Sequence, residues 1–331
     1  MSALPRSIIL MYHRIASVEV DPWGLCVEPE TFSAHLQVIN QYANPISLTD
    51  YVHRKASGDY PDRSAIITFD DGYLDNYEHA LPLLQQHRIP ATFFLATRNI
   101  DTGNEFWWDR LETLLLAPCQ LPSRLDLELP QGMVSWELGP AQTYSIEQLR
   151  SDRGTITWRA APGTRLEFFY QVWKTLSSLL PLERDVVIDQ LAVWAGSAGT
   201  RANTRRSMTS WEIRTIGRSD GMSIGAHTVD HLMLPEYPES DQIWQIQQSR
   251  EQLEEITGNP VTTFAYPHGA YSRETVRAVR DSGFECAVTV EQKIAFPDTD
   301  PVLLPRFGVK NHHADEFRQQ LETWFGHATT S

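Results

Sequence analysis

The chain has 331 residues, 41% of them hydrophobic, and a formal net charge of -14, which allows one barrel-sized domain with an insertion and argues against nucleic acid or strongly anionic polymers as partners, since phosphate binding needs a basic footprint. Cys26, Cys119 and Cys286 are too few and too far apart for a disulfide framework, no stretch approaches the ~20 apolar residues that span a bilayer, and the apolar run after Arg6 is too short for a signal peptide. A reduced, cytoplasmic protein is expected; its oligomeric state is not legible.

The first element, Ile8 to Tyr12, reads as a buried strand that delivers His13 at its end. Asp21 to Leu25, with Trp23, reads as loop, and a helix starts near Pro29 with Phe32, Leu36 and Ile39 on one face. Thr49 is expected to cap a short helix. Ser64 to Phe69 is β-branched and apolar, a buried parallel strand ending at Asp70-Asp71-Gly72. Neighbouring strand residues point to opposite faces, so the two aspartates converge only where the strand breaks into a loop, for which Gly72 supplies permissive backbone. Asp75 to His87 is helical with a kink at Pro82, and Pro90 to Leu95 is the next strand.

Between Asp70 and His227 lies far more chain than one strand-helix-strand step requires, so residues of about 101 to 210 form an insertion into an otherwise single domain. It holds polar strand-like pieces such as Arg124 to Leu129, an amphipathic helix near Leu166 to Leu180, and Trp107, Trp108, Trp136, Trp158, Trp173 and Trp194. Aromatic faces stack on sugar rings, but packing of a small helical cap is the blander account of most of them. Trp23, in the loop after His13, is the better candidate for substrate contact.

Beyond the insertion, Gly221 to Ala226 is a strand that delivers His227, and a helix from Ser240 to Ile256 stops at Gly258-Asn259-Pro260. Val261 to Phe264 is strand-like, Ser272 opens another helix, and Cys286 to Val290 is a further strand. Helices alternating with apolar strands predict an α/β barrel.

Two strand ends carry the chemistry. The first is Thr68-Phe69-Asp70-Asp71-Gly72 and the second His227-Thr228-Val229-Asp230-His231. Alone, the first is a solvated turn and the second a chance pair on a helix. Together, each after an apolar strand, they supply one carboxylate and two imidazoles for a metal with open positions, plus a second carboxylate as general base. A helical turn after His227 would place both imidazoles on one face. Glycosidase carboxylates flank the scissile bond from separate positions about 5 to 9.5 Å apart, whereas these are consecutive and beside histidines; amide or ester hydrolysis is the better match.

These motifs resemble those of the polysaccharide deacetylases of carbohydrate esterase family 4, the NodB homology domain. Its first motif, Thr-Phe-Asp-Asp-Gly, stands at 68 to 72 and its second, His-Ser/Thr-x-x-His, at 227 to 231. The resemblance implies Asp70 as catalytic base, Asp71, His227 and His231 as ligands of Zn2+ or another divalent ion such as Co2+, Fe2+ or Ni2+, a deformed (β/α)7-8 barrel interrupted by a largely helical insertion, and hydrolysis of N-acetyl groups on amino sugars.

The later motifs depart from the family. Arg-Pro-Pro-Tyr-Gly aligns with Ala265-Tyr266-Pro267-His268-Gly269, which keeps a loop for substrate and oxyanion binding but loses the arginine that holds the base. Arg306 is the candidate to restore that charge; its other reading is a barrel-edge arginine. The Leu-x-His stretch near the carboxyl end, source of the family's general acid, is also missing. His13 replaces it in this reading, resembling the branch acting on poly-N-acetylglucosamine, where an N-terminal Tyr-His segment enters the site; the bland alternative is a histidine that caps the strand.

The expected function is therefore metal-dependent removal of N-acetyl from an amino sugar or surface-polysaccharide precursor. The altered third motif keeps a non-sugar deacylase or deformylase open, and a sugar-binding pseudoenzyme is the non-enzymatic alternative, opposed by the intact Asp70.

Overall fold

The computed structural model describes residues 6–59, 62–197 and 205–326. It divides into two compact units, one of Met1–Ser17, Leu25–Thr102 and Ser207–Ser331, the other of Val18–Gly24 and Gly103–Arg206.

The first unit is built on eight strands: β1 (Ser7–Tyr12), β2 (Asn44–Pro45), β3 (Ser64–Phe69), β4 (Ala91–Leu95), β5 (Met222–Ala226), β6 (Thr263–Ala265), β7 (Cys286–Val288) and β8 (Phe307–Gly308). They pair in the order β7-β6-β5-β4-β3-β1-β8, with β2 on β3, and every pairing is parallel. The path nearly closes on itself: Val288 bridges Leu304, just ahead of β8, while Leu10 of β1 pairs with Phe307. This is a deformed barrel in which one short segment joins the two edges, and it matches the α/β expectation. All of β3 is buried, as the continuous apolar pattern of a strand covered on both faces requires.

Helices cover the outside: α1 (Pro29–Tyr42), α2 (Leu48–Ser57), α3 (Leu81–His87), α4 (Ser210–Gly217), α5 (Glu239–Thr257), α6 (Arg273–Asp281) and α7 (Ala314–Gly326). Most boundaries follow sequence signals. Pro29 opens α1, Gly258 ends α5 in the left-handed conformation, and Ser272 caps α6 with a capping box. Two details differ. Ser47, not Thr49, caps α2, accepting the Asp50 N–H. The helix expected over Asp75 to His87 is continuous, but a π-helical turn at Asn76–Ala80 runs into α3 just ahead of Pro82, where a kink was expected.

The second unit takes in most of the expected insertion, as Gly103–Arg206, together with Val18–Gly24, which overlaps the loop expected at Asp21 to Leu25. Leu111, Leu115, Leu166, Phe169, Val172, Leu176 and Leu191 are among its buried core. Arg124–Leu129 pairs antiparallel with Gly132–Glu137, turning Leu125, Leu127 and Leu129 inward. The helix expected over 166 to 180 is Arg165–Ser177, and a second one starts at Pro181. Trp107, Trp136, Trp173 and Trp194 pack on this core. Trp23 belongs to it too, ringed by Trp158, Phe169, Tyr170 and Trp173 at centroid distances of 4.8 to 6.5 Å. It is half-buried there, so packing within this unit takes part of the ring that its sequence position after His13 had offered for substrate contact.

Candidate active site

Strand register assembles one rim. β1 and β3 pair from Ser7–Ser64 to Tyr12–Phe69, so His13 and Asp70 leave neighbouring strands side by side, and the Asp70 N–H donates to the Tyr12 carbonyl at 3.0 Å. β4 and β5 end at Leu95–Ala226, which delivers His227; its N–H donates to the Leu95 carbonyl, also at 3.0 Å. Parallel strands in register thus place motifs that are far apart in sequence at one carboxyl-terminal edge, where open α/β sheets and barrels carry their chemistry.

The consecutive aspartates are parted by backbone conformation. Asp71 has φ of 75°, and the Gly72 N–H donates back to the Asp70 carbonyl at 3.0 Å, a γ-turn of the rarer hand. Gly72 follows at φ 93°, where a Cβ would lie 2.8 Å from Leu95 Cδ2, so both conformation and space call for glycine. The strain expected at the glycine therefore falls on Asp71 as well. Its effect is to send one carboxylate to Arg306 and the other to the histidines.

Asp70 is 2% exposed and Arg306 is fully buried. Arg306 Nη1 donates to Asp70 Oδ1 at 2.7 Å and Nη2 to Oδ2 at 2.6 Å, a fork-on-carboxylate pair. The same guanidinium donates through Nε to the Thr289 carbonyl and through Nη1 to Thr68 Oγ1. Thr68 in turn donates to the Leu10 carbonyl. Burial pushes the Asp70 carboxyl up, but the Arg306 charge and its hydrogen bonds outweigh it and hold the pKa at about 2.

Asp71 Oδ1 lies 3.6 Å from His227 Nε2 and 3.3 Å from His231 Nε2, and the donor atoms of the three residues all fall within 4.8 Å of one another. Ligands about 2.1 Å from a tetrahedral ion stand about 3.4 Å apart, so this spacing fits a small divalent ion. The tautomer fits as well: His227 Nδ1 is 2.7 Å from the Ala265 carbonyl, which assigns the proton there and leaves the Nε2 lone pair toward Asp71. Burial lowers the His227 pKa against the opposing pull of Asp70 and of that carbonyl, favouring the neutral ligand form. The convergence is not helical. Thr228 and His231 have φ of 65° and 54°, and Thr228 Oγ1 accepts the His231 N–H at 3.0 Å, so a left-handed turn replaces the expected helical one.

His13 is electrostatically coupled to Asp70, Arg306 and His227: burial lowers its pKa to about 4, Asp70 pulls it up, and Arg306, His227 and Lys310 pull it down. Its carbonyl accepts from Asn76 Nδ2 at 2.7 Å, while Asp75 binds Arg14 Nε and the Ile15 N–H. Asp75 and Asn76 went unnoticed in the sequence, where they read only as a polar helix start. Tyr266, expected to touch substrate, does not face outward: its hydroxyl donates to the Val302 carbonyl, its N–H to the Val288 carbonyl, and it is fully buried. Pro267 is buried behind it. Aromatic burial outweighs loop position here. His268, by contrast, is exposed, with its ring centroid 4.5 Å from that of His231.

A parallel barrel with these groups on one rim defines a hydrolase of the α/β-barrel class. A family model described as polysaccharide deacetylase matches residues 57–124 and 197–287. The chain belongs to the polysaccharide deacetylase family, and is accordingly a carbohydrate deacetylase, a hydrolase of non-peptide carbon–nitrogen bonds. It is 21% identical over 301 residues to the poly-β-1,6-N-acetyl-D-glucosamine N-deacetylase of Staphylococcus epidermidis, covering 91% of this chain and 72% of that protein. A 79-residue stretch is 32% identical to the protein of the same name from Staphylococcus aureus, 24% of this chain and 27% of that one. Similar solved structures are the Streptococcus pyogenes deacetylase PplD in complex with acetate (TM-score 0.57, 17% identity, 96% of this chain and 99% of that one) and IcaB from Ammonifex degensii (TM-score 0.59, 16% identity, 97% of each). At that identity they speak for the fold.

Proposed function

We propose that this chain hydrolyses the acetamide of N-acetylated amino sugars in a surface polysaccharide of the poly-β-1,6-N-acetylglucosamine kind, with a divalent ion, Zn2+ by preference, held by Asp71, His227 and His231. The observation that carries the reading is the bidentate Arg306–Asp70 pair standing beside three donor groups within 4.8 Å of one another. The relatives' names supply the substrate class. Cobalt, iron or nickel would suit the same donors. Placement in the cytoplasm is a separate part of the proposal, rests on the sparse, separated cysteines, and makes the substrate there a precursor of that polysaccharide.

When bound, such an ion polarises the acetamide carbonyl and makes a water acidic. Asp70 takes the proton from the attacking water. It is fully ionised at neutral pH, and Arg306 fixes both its oxygens, so its orientation is set before substrate arrives. The His268 N–H is assigned to the developing oxyanion, on the loop whose imidazole faces His231. His13 delivers a proton to the departing nitrogen. With its pKa near 4 the resting imidazole is neutral at pH 7, so the proton it gives has to be acquired during the cycle. The proton lost by water balances the one gained by the amine.

The test is release of acetate from β-1,6-linked N-acetylglucosamine oligomers, its loss after chelation and its return with Zn2+. Formate from an N-formyl substrate with no acetate release would favour the deformylase reading. Ion binding without any hydrolysis, unchanged by Asp70→Asn, would sink the enzymatic one.

A further inference from the structure

The 227–231 loop carries two of the three donor groups and is held in a backbone that its own residues resist. Thr228 and His231 are both left-handed without being glycine, a conformation that persists only when its surroundings over-determine it. No helical hydrogen bonds maintain the spacing of the two imidazoles. The carbonyl side is fixed from β4's continuation, where the Thr97 N–H donates to the Thr228 carbonyl at 3.1 Å and the Arg98 N–H to the Val229 carbonyl at 3.0 Å. The amide side is fixed from elsewhere. The N–H groups of Val229 and Asp230 both donate to Gln245 Oε1, at 3.0 and 2.8 Å.

Gln245 stands on α5, outside either motif, and is 4% exposed. Its Nε2 donates to the Asp230 carboxylate, which Arg98 also grips. We infer that Gln245 is the positioning residue of the ion site, a buried clamp that holds the Val229–Asp230 backbone so that His227 and His231 stay aimed at Asp71. This rests on the ion-site reading above and extends it beyond the three donor residues.

The chemistry explains the residue type. The side chain must offer an acceptor oxygen to two adjacent N–H groups and, from the same end, a donor to a carboxylate. Among neutral side chains of this length only glutamine does both. Glutamate keeps the acceptor but faces Asp230 with a like charge. Methionine fills the space and leaves both N–H groups buried without their acceptor. Partners that orient ligands typically account for about 10- to 100-fold in metal affinity.

The experiment measures Zn2+ affinity of the metal-free full chain by competition with a chromophoric chelator, together with the visible absorption of the Co2+ form and thermal unfolding without metal. Gln245→Met is expected to weaken Zn2+ binding about 10- to 100-fold and to change the Co2+ bands as one imidazole is lost. The pair Gln245→Glu with Asp230→Asn, which exchanges donor and acceptor, is expected to recover most of that affinity. A folded Gln245→Met that binds Zn2+ as tightly as the parent, whatever its unfolding temperature, overturns the proposal. If that variant does not fold, Gln245→Glu alone carries the test: weakened binding supports the clamp and parental binding overturns it. A parent chain that takes up no Zn2+ overturns the ion-site reading and the clamp together, and needs no variant to reveal it.

Discussion

Arg306 grips both carboxylate oxygens of Asp70 across 236 residues of chain, at 2.7 and 2.6 Å. At the strand end where the third motif ordinarily brings an arginine, this chain has Ala265, whose carbonyl accepts from His227 Nδ1 instead. The charge that fixes the base comes from the approach to β8, while the backbone at the Ala265 strand end orients a donor histidine. The two requirements, a cation for Asp70 and a carbonyl for His227, are met from different strands.

Removing that guanidinium strands a buried carboxylate. Arg306→Met is expected to destabilise the fold by about 3 to 5 kcal/mol at neutral pH, the usual cost of breaking a buried pair by one partner, measured by urea unfolding. Adding Asp70→Asn should return a substantial part of the loss, since no ionised group is then left behind. Strict additivity of the two substitutions would show that the pair is not coupled.

The consecutive aspartates should separate cleanly by assay. Asp70→Asn is expected to keep ion affinity and lose at least ~100-fold in turnover, the scale of a general base. Asp71→Asn should lose the ion as well, read by metal content after gel filtration. If Asp70→Asn empties the site while Asp71→Asn leaves it full, the division of labour is reversed.

What the sequence made legible was the part in which local pattern and strand period agree. The apolar run Ser64–Phe69 had to be a buried strand, and its partners' ends had to meet it once the sheet was parallel. Arg306 was a candidate only because a charge was missing elsewhere. The left-handed backbone at Asp71, Thr228 and His231 left no trace in sequence, because non-glycine residues adopt it only under tertiary constraint. Gln245 was equally silent: a glutamine in a helix is ordinary until the loop it clamps is known. Tyr266 misled in the opposite sense, its motif position suggesting substrate while its side chain joins the core.

His13 can be tested through the leaving group. If it protonates the departing nitrogen, His13→Gln should lower acetate release from an N-acetyl sugar by about 10²- to 10⁴-fold while affecting an activated aryl acetate little, because that leaving group departs without a proton. Equal losses on both substrates would make His13 a structural or binding residue. Restoration of the amide reaction by added imidazole would count for the proton-transfer role.

His35 sets a pH limit on the strand that carries His13. It is fully buried in α1, with Nε2 2.7 Å from the His312 carbonyl, Nδ1 3.3 Å from the Tyr12 hydroxyl, and its ring stacked on Phe317. Nε2 therefore donates and Nδ1 accepts, which is the neutral imidazole. Burial lowers its pKa from 6.5 to about 4, although the His312 carbonyl pulls the other way. Between these values the unfolded chain binds a proton that the folded one refuses. Stability from His35 is thus complete above about pH 6.5 and declines as the pH falls toward 4, by about 3 kcal/mol in all. The depressed His13 adds a decline of the same sign, so the comparison has to be with His35→Gln, which removes one titration and leaves the other. Urea unfolding from about pH 7.5 to about pH 4.5 should give the variant the shallower slope, by up to ~1.4 kcal/mol per pH unit. Parallel profiles would mean that His35 keeps its folded-state proton affinity in the unfolded chain. A charged His35 could no longer accept from Tyr12, the residue next to His13, so the loss of stability and the loosening of that strand end should begin together.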